Sequence, residues 1–96
     1  MSGHNQKTIK QAIEELLKTY HLDDGIREVK VKEIWNREMG KVILKHTVAI
    51  YLRNHVLHVR LNSSVVRQEL SMMKTSVIND MNEQLGEKWI TDLYLL

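Results

Sequence analysis

Residues 62–74 read NSSVVRQELSMMK and mark the passage from a strand into an amphipathic helix. Serine is a strong N-cap, because its hydroxyl accepts one of the orphan N–H groups of the first helical turn. Ser63 or Ser64 therefore starts a helix. Val66, Leu70, Met73, Val77, Met81 and Leu85 follow as an apolar stripe of about six turns. Gly86 suits the position just past its end. The spacing predicts one continuous helix closing at Leu85.

Immediately upstream, Val48, Ile50 and Leu52 recur at every second position, and so do Leu57, Val59 and Leu61. A two-residue turn at Asn54-His55 sets Leu52 opposite Leu57, Ile50 opposite Val59 and Val48 opposite Leu61. All six then share one face, as the pleat requires. Asparagine tolerates the positive φ of such a turn, whereas histidine is less usual there. The other face carries Tyr51, Arg53, His58 and Arg60. Downstream of Gly86, a last strand from Trp89 to Leu95 is expected to pair with one edge of this hairpin. Its parity stays open: either Trp89, Thr91, Leu93 and Leu95 face inward, or Ile90, Asp92, Tyr94 and Leu96 do.

Two helices precede the hairpin. Ile9, Ile13, Leu16, Leu17 and Tyr20 recur at helical spacing, and Thr8 with Gln11 is placed like a capping box. Asp23-Asp24-Gly25 reads as a turn whose aspartates cap a second helix, from about Ile26 to Met39. Val31, Ile34, Trp35 and Glu38 share one face of it, with Trp35 as core anchor, although Val29-Lys30-Val31-Lys32 also alternates like a strand. Gly40 ends this helix, and Lys41 to Lys45 adds a short turn. The order α-α-β-β-α-β describes an α+β fold, a three-stranded sheet with helices packed on one face.

Composition narrows the function classes. Ninety-six residues, 43% hydrophobic and 27% charged, describe one globular domain over 1–96 with a modest core. No apolar run approaches the roughly 20 residues of a membrane helix, and the first ten residues, MSGHNQKTIK, contain no apolar core of a secretory signal. With no cysteine, disulfide and thiol chemistry are excluded, which fits a cytoplasmic protein. Charge is uneven: residues 27–60 hold eight Lys or Arg against three Glu, while both flanks are mildly acidic. A basic middle suits an anionic partner. The plainer alternative is that its lysines only solvate the second helix.

No enzymatic constellation assembles. His55 and His58 form His-x-x-His with His46 upstream, but no Cys or carboxylate cluster completes a metal shell, so they read as surface histidines. Ser63 and Ser64 lack any Gly-x-Ser-x-Gly or Ser-x-x-Lys context. No cofactor or metal is expected. Met39, Met73 and Met81 read as helix core, and Met72 lies off the stripe, free for an adaptable contact. Lys41, Lys45, Arg53 and Arg60 are the candidates for one positive surface. The start of the third helix, with Ser63, Ser64, Arg67 and a positive dipole end, could accept a backbone phosphate. The alternative is that the serines only cap and Arg67 pairs with a carboxylate.

Three stretches carry a family resemblance: EIWNREMGKVILKHT (33–47), YLRNHVLHVRLNSSVVRQELSMMK (51–74) and INDMNEQLGEKWITDLYL (78–95). In this order they resemble the DciA family of bacterial replicative-helicase loaders, over about residues 8–96. The resemblance implies a KH-like fold, contact with the replicative helicase, and affinity for DNA, single-stranded or forked. The Gly-x-x-Gly loop by which KH domains clamp a nucleic-acid backbone does not occur in this sequence. Two functions from different classes follow: a non-enzymatic helicase-loading accessory that binds helicase and DNA, or a stand-alone single-stranded DNA or RNA binder using the outer hairpin face.

Overall fold

The computed structural model describes residues 8–19 and 23–96. Eight elements follow one another: α1 (Ile9–Thr19), α2 (Asp23–Glu38), α3 (Lys41–Lys45), β1 (Thr47–Arg53), β2 (Val56–Leu61), α4 (Ser64–Met72), α5 (Lys74–Leu85) and β3 (Asp92–Leu95). The strands form one sheet in the order β1-β2-β3, antiparallel between β1 and β2 and parallel between β2 and β3. The molecule is thus α+β, and the last strand pairs with the β2 edge of the hairpin.

The turn at Asn54-His55 forms as the alternation requires. Both residues have positive φ, 50° and 67°, the signature of a type I′ turn that matches the strand twist. Leu52 faces Leu57 and Ile50 faces Val59. The expected pairing of Val48 with Leu61 does not occur. Thr47 takes that place, the register shifts before Ala49, and Val48 is pushed out to solvent. Thr47 explains the bulge. Its hydroxyl donates to the Ile43 carbonyl (2.7 Å) and accepts the Trp35 indole N–H (3.2 Å), which anchors the strand start to α2 and α3.

One core joins the helices to the inner sheet face. Val31, Ile34 and Trp35 of α2 meet Leu52, Leu57, Val59, Leu61 and Leu93, with Val66 and Leu70 of α4 and Val77 and Met81 of α5. Trp35 is fully buried, as its anchor role demands, whereas Glu38 is exposed.

Several boundaries differ from expectation. Asp23, Asp24 and Gly25 form the first turn of α2 rather than a turn ahead of it, while Val29–Lys32 is helical as the second-helix reading has it. Gly40 does not close α2 through a left-handed turn; it is extended (φ −70°) and stands at the N-cap of α3. The long helix after Ser63 is broken at Met73, whose φ of −114° and ψ of 18° leave the helical basin. Met73 N–H bonds the Leu70 carbonyl, a tightened last turn, and the Met73 carbonyl accepts from Val77. The break lets Val66 with Leu70, and Val77 with Met81, each point into the core, while Met73 stays largely exposed. Gly86, with φ of 78°, ends α5 as expected; its N–H reaches Glu83 and the Glu87 N–H reaches Asn82.

β3 starts at Asp92, later than expected. Leu93 is buried and Leu95 half-buried, while Tyr94 and Leu96 face out; Ile90 is buried ahead of the strand, outside its alternation. The α1 capping box forms in both directions, Gln11 N–H to Thr8 Oγ1 (3.0 Å) and Thr8 N–H to Gln11 Oε1 (3.1 Å). Among the described residues of the α1 apolar stripe, Ile9, Ile13 and Leu16 are exposed rather than part of the core. Tyr20, the last residue of that stripe, and the side chain of Leu17 lie outside the described residues.

Candidate nucleic-acid interface

Strand alternation that sends Leu52, Leu57 and Leu93 into the core sends Tyr51, His58 and Tyr94 to the opposite face. The register places these three side by side, Tyr51 against His58 and His58 against Tyr94. Their rings form a row across all three strands. Tyr51 and His58 lie parallel within 7° at 4.6 Å between centroids, and Tyr94 follows at 5.5 Å, tilted by 54°. The first spacing is close to the roughly 4.8 Å between strands. The Tyr51 and His58 rings therefore stand face to face along the row rather than lying flat on the sheet. Such cross-strand aromatic pairs stabilise the sheet as well as lining its surface.

Arginines flank the row. Arg53, one pleat toward the turn, holds its guanidinium over the Tyr51 ring at 5.5 Å, within cation–π range. Arg60, one pleat toward the other end, is exposed. Tyr94 is 55% exposed. The face thus combines three π systems with two exposed cations, a combination suited to a polyanion with planar groups.

The turn end of this face is held rigidly. Asp24 accepts the Asn54 backbone N–H through one carboxylate oxygen and the Trp89 indole N–H through the other, both at 2.9 Å. His55 Nδ1–H donates to the Trp89 carbonyl at 2.8 Å, and its ring packs on Trp89 at 4.0 Å. The Arg27 guanidinium lies 3.6 Å from the Trp89 ring centroid and pairs with Glu87 at 2.9 Å. This packing accounts for a histidine at a left-handed position.

At the opposite end stand Lys41 and Lys45, both exposed on α3. α3 runs into β1 through His46, whose Nδ1–H donates to Asn62 Oδ1 (2.7 Å) and whose carbonyl accepts the Asn62 N–H (3.0 Å). These two lysines, Arg60 and the serines thus belong to one end of the sheet. Arg53 belongs to the turn end, about 13 Å away along four residues of strand. Ser63 is the N-cap of α4, and its hydroxyl accepts the Val66 N–H at 3.3 Å. Ser64 is the exposed first residue of that helix. Arg67 folds back so that its Nη2 donates to the Leu61 carbonyl at 3.2 Å, with a buried Nε that has no partner. It pairs with a carbonyl, not with a carboxylate. Three strand residues, Tyr51, His58 and Tyr94, complete the face beyond the cations and serines expected from sequence. Alternation alone puts the first two on the outer hairpin face; Tyr94 needs the parity of β3.

Among the described residues, no group of three or more His, Asp or Glu is placed to hold a metal ion. No helix of the described residues is long and apolar enough to cross a membrane.

The family model described as "Dna[CI] antecedent, DciA" matches residues 8–95, nearly the whole chain. The chain belongs to the DciA family, which is associated with helicase loading in replication. No curated protein and no solved structure matches it.

Proposed function

We propose that this member of the DciA family is a non-enzymatic accessory of the replicative helicase in the cytoplasm, holding DNA on the uncovered face of its sheet. Family membership supports the helicase as partner. The observation that carries the DNA contact is the pair of exposed arginines, Arg53 and Arg60, on a solvent-facing sheet. Lys41, Lys45 and the α4 start, with Ser64, stand exposed at the Arg60 end of the sheet. Because the sequence has no Gly-x-x-Gly loop, the sheet rather than a KH-type backbone clamp is the natural seat for the strand.

Cations that neutralise phosphates release counterions, so removing such a cation reduces the salt dependence of binding. Charge reversal of Arg53→Glu with Arg60→Glu is expected to weaken binding to single-stranded and forked DNA across sequences. The slope of log affinity against log salt should flatten by about 0.7 for each phosphate that the variant no longer neutralises. Fluorescence anisotropy over a salt series measures both, and unchanged binding at low salt would sink the assignment. A stand-alone single-stranded DNA or RNA binder is the second reading, favoured by how completely the sheet carries its own cations and rings. Steep salt-dependent binding of bare nucleic acid with no helicase complex on size exclusion supports that second reading. Weak bare binding with a stable helicase complex supports the first.

A further inference from the structure

The ring row has a geometry that charge alone does not require. Tyr51 and His58 turn facing sides to each other. Tyr94 is tilted away by 54° and sits on an edge strand, so its outward side is open to solvent. At the other end of the row, the Arg53 guanidinium is 5.5 Å from the Tyr51 centroid. A planar base between them needs about two stacking intervals, roughly 7 Å, and an exposed arginine shifts that far by rotamer change.

We propose that Tyr51, His58 and Tyr94 form a base-stacking platform for single-stranded DNA. One base lies on the outward side of Tyr94, and a second is held between Tyr51 and the Arg53 guanidinium. This rests on the reading that the sheet face holds DNA, and it adds what the face recognises: unstacked bases, irrespective of sequence, because every base has a π face. Paired bases in a duplex are stacked on one another and offer the rings nothing, so the platform distinguishes open strands from closed ones. His58 is a positioning residue that keeps the two tyrosines apart and upright.

The test compares Tyr51→Ala, Tyr94→Ala, Tyr94→Phe and the Arg53→Glu with Arg60→Glu protein. Each is titrated against a short labelled oligothymidylate and a duplex of equal length, at two salt concentrations, with thermal melting to verify folding. Each alanine variant should weaken single-strand binding by roughly fivefold or more. It should leave duplex binding and the salt slope as in the parent, and Tyr94→Phe should bind like the parent. If the alanine variants bind the open strand normally while charge reversal weakens it, the strand is held by phosphates alone; the stacking proposal then fails and the DNA reading stands. If an alanine variant weakens duplex and single strand equally, the ring only supports the fold and the stacking proposal is overturned. If every variant binds like the parent, both readings fall.

Discussion

Asp24 serves two N–H donors from distant parts of the chain: the Asn54 amide of the turn and the Trp89 indole ahead of the last strand. Removing the carboxylate leaves the half-buried Trp89 indole and the exposed Asn54 amide short of a partner, and a broken charge-assisted bond is costlier than a neutral one. Asp24→Ala is expected to destabilise by about 1–2 kcal/mol, read from urea denaturation, discounted for partial exposure. A change under about 0.3 kcal/mol would show that water replaces the carboxylate freely. Locally, Asp23-Asp24-Gly25 carries the composition of a turn. The partners that settle the role of Asp24 lie 30 and 65 residues further along, where no local pattern can announce them. By contrast Trp35, Leu52 and Leu57 are legible as core, because burial there follows from periodicity alone.

Helix ends show the same division. Gly86 can be read from sequence because a left-handed residue after an apolar stripe has one favoured occupant. Nothing lies within 4 Å of where its Cβ would stand, so Gly86→Ala tests the backbone preference by itself. The expected cost is about 1–2 kcal/mol, measured by thermal or urea unfolding. A neutral outcome would mean the turn relaxes out of the left-handed region. The interruption at Met73 is not legible, since the apolar stripe runs through it without a glycine or proline to mark it. The parity of β3 is equally hidden. Trp89 and Ile90 look like strand residues, but pairing with β2 begins only at Asp92. That delay is what carries Tyr94 to the open face and completes the row.

Across the whole molecule, periodicity identifies α1 correctly but not its surroundings. An apolar stripe predicts a helix, and burial needs a neighbour of matching shape. Ile9 and Ile13 are 81% and 49% exposed, so Ile9→Gln with Ile13→Gln should shift unfolding free energy by no more than about 0.5 kcal/mol per site. A loss of several kcal/mol would place α1 in the core after all. The basic middle of the chain is legible as charge, yet folding divides its cations between two ends of the sheet, with Arg53 apart from Lys41 and Lys45. Part of each sheet margin is itself occupied. Along the outer side of β1, Leu52 N–H is taken by Glu28 at 2.8 Å and Asn54 N–H by Asp24. On β3, Leu93 N–H is taken by the neighbouring Asp92 carboxylate at 2.7 Å. Unsatisfied edge amides are what template fibril growth from one molecule to the next. With those donors engaged by carboxylates, fewer edge amides are left to template another strand beside the bare aromatic surface.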